Sequence, residues 1–241
     1  MHRRRAVHAA GLGLIGALAL AGCASDPQPA GEAWKQARTQ LDEADSVRLS
    51  TAYTTGRQGP SVVTWDIAGA LDGGNATSTA TMGVGEDSRM VVDTRTVGED
   101  VYARVSTEGQ DVPAQVRAAY GDDGWKRLPA DQAQAQANPL RTELDRIALP
   151  AADALEGADV EPEEVELQDG HAQRYAVPAD VAGAAQAAAG EGEPVRVRSF
   201  TVDEDGSLVG LQVEAANALQ QYELSDWNAI DPAEVPEEVS E

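Results

Sequence analysis

Apolar residues recur along this chain with two periods. From Glu32 onward, Trp34, Ala37, Leu41 and Ala44 fall at three- and four-residue spacing, which predicts a short amphipathic helix. At Val47 the period drops to two, so that Val47, Leu49, Thr51 and Tyr53 share one face and Arg48, Ser50 and Thr54 take the other. Alternation continues through 63–69, 76–83, 90–97 and 101–105. It is broken by turn-forming residues at 56–60, Asp72-Gly73-Gly74-Asn75, Gly85-Glu86-Asp87 and Gly98-Glu99-Asp100. Five strands joined by tight turns predict an antiparallel meander.

The middle of the chain changes character. Residues 113–120 and 139–149 read as helices, the second with Leu140, Leu144 and Ile147 on one stripe and Asn138 as N-cap before Pro139. Between them Trp125-Lys126-Arg127-Leu128 predicts a short strand, and the Gln- and Ala-rich 131–137 a mobile loop. Hairpins resume from Val160: Val165 and Leu167 lead into Asp169-Gly170 and out through Gln173, Tyr175 and Val177. An Ala-rich helix over 180–189 and a flexible turn over 190–194 precede a strand at 195–202. Asp205-Gly206 then reverses the chain into 208–214, and 220–224 adds a last strand before Ser225-Asp226-Trp227. About eleven strands with inserted helices predict an α+β class, one twisted antiparallel sheet curling over a few helices.

The N-terminus obeys neither period. Arg3, Arg4 and Arg5 precede an apolar run that closes on Leu20-Ala21-Gly22-Cys23, the pattern of a secretory signal. An uncleaved transmembrane helix is the competing reading, but the run is interrupted by His8, rich in Gly and Ala, and short of the ~20 strongly apolar residues that span a bilayer. Its end resembles the lipobox of bacterial lipoproteins. The resemblance implies cleavage before Cys23 and a diacylglyceryl group on its sulfur. The expected organisation is a signal peptide at 1–22, a lipidated tether at 23–31, a single domain at 32–228 and an acidic disordered tail at 229–241, which carries Pro232 and Pro236 and no apolar period.

Charge narrows the partners. The chain carries 41 acidic against 18 basic residues, a net charge of −23 at neutral pH. Removing 1–22 takes away arginines and no acid, leaving it more acidic still. Such a surface repels nucleic acid and anionic lipid headgroups. Cys23 is the only cysteine, so packing rather than an internal disulfide must hold the fold. Aromatics are scarce, with Phe200 the sole phenylalanine, and Ala, Gly, Val and Thr dominate the apolar positions. A sheet lined by such side chains either packs closely against its helices or leaves space behind them.

Catalytic chemistry finds little to work with. His2 and His8 belong to the signal, which leaves His171 beside a hairpin tip, where an exposed turn histidine is expected rather than a general base. One histidine and an acylated cysteine do not assemble a zinc site. Glu161, Glu163, Glu164 and Glu166 alternate around Val165 as a solvated strand face. Asp203-Glu204-Asp205-Gly206 echoes the opening of a calcium loop, lacks its later bidentate acid, and reads as a turn. Asn75-Ala76-Thr77 matches a glycosylation acceptor by pattern and is read as turn chemistry. No phosphate-binding glycine loop is present, and no catalytic residue, metal or cofactor is assigned.

Several short motifs in this order carry a resemblance. They are the lipobox at Cys23, Asp45-Ser46-Val47-Arg48-Leu49, Gly98-Glu99-Asp100-Val101-Tyr102-Ala103-Arg104 and Gly124-Trp125-Lys126-Arg127-Leu128-Pro129. Asp169-Gly170-His171 before Tyr175, Asp203-Glu204-Asp205-Gly206-Ser207-Leu208 and Leu224-Ser225-Asp226-Trp227 follow. Together they resemble the LppX/LprG group of actinobacterial lipoproteins and the wider LolA-like lipoprotein-carrier fold. The resemblance implies a curved, half-open antiparallel β-barrel whose concave side, lined by helices, encloses an apolar pocket for the acyl chains of a lipid or glycolipid. It implies no enzymatic residues. The expected protein is a lipid-binding lipoprotein held at the outer face of the cell membrane through acylated Cys23. Candidate pocket-lining residues are Val63, Trp65, Ile67, Met82, Leu140, Leu144, Ile147, Val209, Leu211 and Val213, whose alternative is an ordinary filled core. The alternative function is an envelope interaction or sensor lipoprotein whose acidic face or tail docks a basic protein partner.

Overall fold

The computed structural model describes residues 27–55, 61–83, 88–109, 111, 114–120, 124–167, 170–189, 195–215 and 218–240. Their elements run α1 (Ala30–Glu43), β1 (Ser46–Thr55), β2 (Ser61–Ala70), β3 (Asn75–Gly83), β4 (Arg89–Val97), β5 (Asp100–Glu108), α2 (Ala114–Tyr120) and β6 (Trp125–Arg127). Then come α3 (Ala130–Gln136), α4 (Pro139–Arg146), β7 (Ile147–Ala148), β8 (Glu163–Leu167), β9 (Gly170–Ala176) and α5 (Ala179–Ala188). The chain ends with β10 (Val195–Asp203), β11 (Leu208–Ala215), β12 (Ala218–Ser225) and β13 (Val239–Ser240). The residues of the lipobox, Leu20, Ala21, Gly22 and Cys23, and the turns expected at 56–60, 85–87 and 190–194 lie outside the described residues.

One sheet takes all thirteen strands in the order β13-β6-β5-β4-β3-β2-β1-β12-β11-β10-β9-β8, with β7 alongside β10. Pairing is antiparallel except for β13 with β6 and β7 with β10. The sheet curves without closing, as expected, and the class is α+β. Period-two alternation sets its faces. Leu49 stands opposite Ile67, Ile67 opposite Ser78, Ser78 opposite Thr94 and Thr94 opposite Ala103, so one row of inward side chains crosses five strands. The helices lie on this same face: Trp34, Leu140 and Ala182 cluster with Leu49 and Ile67, Ala133 with Val101 and Ala103, and Val116 with Met90 and Val105.

The largest cluster is centred on α1. Trp34 is fully buried, its ring 4.9 Å from Phe200, which stacks on Tyr175 at 5.0 Å. Trp34 Nε1 donates to the Ala151 carbonyl at 3.0 Å, so the one polar atom of the largest core side chain is satisfied. Burial of each such ring contributes about 1.5–3 kcal/mol. The opposite, outward face is polar: Arg48 pairs with Asp66 at 2.6 Å and Asp226 at 2.7 Å, and Ser50 donates to Asp66. Farther along, Arg95 and Arg104 both lie over the Trp125 ring.

Three segments differ from the sequence reading. The stretch 131–137, expected as a loop, is helical through Gln136 as part of α3, with Ala133 packed against Val101, Ala103 and Leu128. The helix expected to reach Leu149 stops at Arg146, where Ile147 turns extended (φ −82°, ψ 116°) and pairs in parallel with Val195. A β-branched residue at that point favours the strand. Within the stretch 229–241, expected as a disordered tail, Val239 and Ser240 pair with Trp125 and Lys126 at the sheet edge, and Arg95 Nη1 donates to the Glu234 carbonyl. An unpaired edge strand offers backbone partners that hydropathy does not register. The two-residue β7 and β13 are the strands beyond the expected eleven.

Candidate functional site

The curved inner face is filled where α1, α4 and α5 cover it. Ile67, Leu140, Leu211 and Val213 are each at most 1% exposed inside one continuous cluster, and Trp65 packs against that cluster with its Nε1 donating to Ser78 at 2.8 Å. Val63 is buried on β2, and Met82 packs against a separate small cluster with Met90 and Val105. These side chains behave as core. Val209 leaves the inward row altogether, because Thr201 faces Gly210 while Val202 faces Leu208. The bulge turns Leu208 into the core and leaves Val209 half-buried.

Leu144 and Ile147 belong to the same buried cluster as Leu140, at 6% and 3% exposure, and in addition reach a groove. With Leu41 of α1, Ala44 just after it, Leu71 after β2, and Leu149 and Pro150 after β7, they line a groove of about 910 Å3 that is open to solvent. Its far wall is α5: Val181, Ala184, Ala185 and Ala188 recur along one side of that helix. The alanines that sequence reasoning took as helix formers therefore leave room, since a methyl group reaches less far than any other core side chain. The volume falls at the upper end of the ~300–1,000 Å3 of small-molecule sites. Charged groups line it as well. Arg38 pairs with Asp42 at 3.3 Å and Arg141 with Asp145 at 2.8 Å, each within one helix turn, and Asp72 and Asp180 complete the set. Four carboxylates against two guanidiniums leave the mouth of the groove acidic.

A buried polar cluster fixes α4 beneath this groove. Glu143 is 4% exposed and accepts from the Tyr222 hydroxyl and from Arg146 Nη2, the latter at 2.5 Å. Arg146 also donates to the Tyr222 oxygen at 2.8 Å, closing a triangle between α4 and β12. Burial, reinforced by the hydrogen bond to Glu143 and its charge, holds the Tyr222 phenol well above its ordinary range. Burial works against the charge on Arg146, but the Glu143 hydrogen bond and charge outweigh it, so the guanidinium is held more firmly protonated. Sequence reasoning missed all three residues. The signal was faint: Glu143 sits one position before the apolar Leu144, and Tyr222 alternates with Leu224 like any strand aromatic.

Other sequence candidates scatter. His171 is exposed at the start of β9, its Nδ1 3.3 Å from Glu164. Glu163, Glu164 and Glu166 line the outer strand β8. Asp203 Oδ1 accepts from the amides of Asp205 and Ser207, which is turn geometry. Among the described residues no three His, Cys, Asp or Glu converge as a metal-holding group, and no helix is long and apolar enough to cross a membrane.

Comparison with solved structures identifies the architecture. LprF from Mycobacterium bovis aligns over 88% of this chain and 99% of its own at 11% identity, with a TM-score of 0.50. The chain has an LppX/LprG-like fold. LppX, a lipoprotein of Mycobacterium tuberculosis, aligns over 87% of this chain and 100% of its own at 13% identity and a TM-score of 0.42. No protein-family model and no curated protein matches the sequence. At such identities the LppX/LprG-like likeness is one of backbone, and the ligand has to be argued from the groove.

Proposed function

We propose that this protein is a membrane-anchored lipoprotein that takes the acyl part of a lipid or glycolipid into the groove between α1, α4 and α5. The groove carries the reading: about 910 Å3, with Leu41, Leu71, Leu144, Ile147 and the α5 alanines in its lining and two Arg–Asp pairs beside them. An acyl chain laid along it gains about 25 cal/mol for each Å2 of apolar surface taken from water, while the open side leaves the polar end in solvent. The Leu20-Ala21-Gly22-Cys23 lipobox supports anchoring at the outer face of the cell membrane. The role is binding, presentation or hand-over without a bond-making step.

The test uses the full chain with Cys23→Ser, which carries no acyl group of its own. Organic extraction of the purified protein followed by mass spectrometry is expected to release an acyl lipid, and Ala185→Trp, which fills the groove from its α5 wall, is expected to lower its amount severalfold. Extracts no different from a mock purification, together with failure to bind a fluorescent fatty acid, overturn the reading. Capture of a basic envelope protein by such lipid-free chain, lost at high salt, would favour the docking alternative.

A further inference from the structure

The helices pack on the inward face of the sheet, and the tail, residues 229–240, crosses the outward one. Arg48, Ala68, Thr77, Arg95, Tyr102 and Arg127 form an outward row there, one residue from each of six neighbouring strands. The tail starts beside β1, where the Ile230 amide donates to Ser46 Oγ, and ends in β13 against β6. Five strand spacings of about 4.8 Å, about 24 Å in all, separate those points, and nine residues reach at most about 32 Å. With so little slack the tail has one register. Its seat is made by β4, β5 and β6. Arg95 Nη1 donates to the Glu234 carbonyl at 3.2 Å, Ser240 Oγ donates to the Trp125 carbonyl at 3.0 Å, and Pro236, between those contacts, is buried. The Arg95 and Arg104 guanidinium carbons stand 4.8 and 4.9 Å from the centre of the Trp125 ring. Tyr102, between Arg95 and Arg127 in the row, is 7% exposed although no helix covers this face among the described residues.

Two features distinguish this seat from a plain structural cap. Its residues are Trp, Tyr and Arg, the types that carry most of the binding energy where proteins meet, and the guanidiniums over the indole hold it in shape before anything lands on it. What covers it is held lightly, by a two-residue parallel ladder and two side-chain hydrogen bonds, with Val235 and Val239 exposed. Charge sets the kind of segment that fits. In a chain of net charge −23 the seat gathers Arg95, Arg104 and Arg127 against Asp93 and Asp100, while 231–238 of the tail carries Asp231, Glu234, Glu237 and Glu238 and no base.

We propose that the outward face of β4, β5 and β6 is a docking site for an extended, acidic, proline-containing segment of a partner protein, and that the chain's own tail occupies it until such a segment displaces it. The incoming segment adds in parallel to β6, sets a backbone carbonyl on Arg95 Nη1 and brings its carboxylates to the guanidiniums. The site lies on the face opposite the helices and does not rest on what the groove between α1, α4 and α5 binds.

The probe is a fluorescein-labelled peptide of the 229–240 sequence, read by anisotropy on the full Cys23→Ser chain. Pro236→Gly/Val239→Gly in that chain loosens the tail without changing its charge. It is expected to raise peptide affinity about five- to tenfold, the factor by which a tail seated about eight or nine times in ten lowers the fraction of free sites. A peptide with its four acids replaced by Asn and Gln should bind the loosened chain at least about fivefold more weakly, and Arg95→Gln should weaken the acidic peptide to a similar degree. An increase under twofold on loosening denies the mask, equal binding of the acidic and amide peptides denies the charge recognition, and no binding to the loosened chain at millimolar peptide makes the tail a plain edge cap. Each of these overturns the proposal and leaves the acyl-binding reading standing.

Discussion

Leu140→Ala and Ala185→Trp separate a packed layer from an open groove. Leu140 is fully buried inside the cluster that joins α4 to the sheet, whereas Ala185 is half-buried on the groove's α5 wall. Truncating Leu140 removes three carbons' worth of burial at about 0.8 kcal/mol each and leaves a cavity on which the neighbouring Ile67 and Leu144 cannot fully close. The expected loss is about 3–4 kcal/mol. Against a urea m-value of about 2 kcal/mol/M it moves the unfolding midpoint by about 1.5–2 M. The Trp at 185 projects into solvent-open space and should move the midpoint by the equivalent of about 0.5 kcal/mol or less, while occluding the groove. Urea titration of both Cys23→Ser proteins, followed by fatty-acid binding on each, reads the two effects apart. Leu140→Ala should retain binding. If it costs under 1 kcal/mol and alters lipid affinity, the layer beneath α4 is the pocket and the groove above it is not.

Three further outcomes follow from named contacts. Glu143→Ala withdraws the acceptor from the buried Tyr222 hydroxyl and should cost about 1–3 kcal/mol, with Tyr222→Phe in that background recovering part of it; additive single losses in a double-mutant cycle would deny the coupling. The raised Tyr222 phenol gives an alkaline signature. Below about pH 10 folded and unfolded chains both hold the proton and its stabilisation is complete; above it the unfolded chain ionises first, and stability falls by about 1.4 kcal/mol per pH unit for this group until the folded phenol also titrates. A stability curve between pH 8 and 11.5 whose slope Tyr222→Phe leaves unchanged contradicts it. Ending the chain after Ile230 removes β13 and the Arg95–Glu234 contact, both at the surface; a loss of about 1 kcal/mol and a red-shifted Trp125 emission are expected, and a loss beyond 3 kcal/mol would make the tail part of the core.

The sheet was legible because its alternation is strict. Val47, Leu49 and Thr51 point inward and Arg48 and Ser50 outward as the period requires, and the glycine turns at Gly73, Gly74 and Gly98 all adopt positive φ. The groove was not legible, for a reason of scale. Leu144 of α4 and Ile147 of β7 both pack in the core and line it, while Leu140, one turn earlier on α4, is core alone. Hydropathy reports that a side chain avoids water, and both destinations satisfy that. The distinction arises where α5 meets α4 across a separation fixed by β7 and β10, which no local spacing encodes. Val209 shows the complementary failure, a one-residue bulge that exchanges it with Leu208 while every apolar letter stays where it was.

An open groove suits a tethered protein better than a free one. Five residues lie between Cys23 and Pro29, at most about 20 Å of extended chain. The Tyr175 hydroxyl donates to the Gln28 carbonyl at 2.7 Å, fixing where the tether leaves the domain. From there the fourteen residues of α1 run about 21 Å to the end that lines the groove. If Cys23 is acylated, the groove stays within about 40 Å of the bilayer, and the linkage supplies a local concentration of millimolar order. Weak intrinsic affinity then suffices for loading, whereas a carrier diffusing across the envelope would need an enclosed cavity to hold its lipid through water. The acidity works in the same direction. For an anchored chain it would repel the domain from anionic headgroups, so that contact with the membrane would be made through the anchor rather than through a charged face.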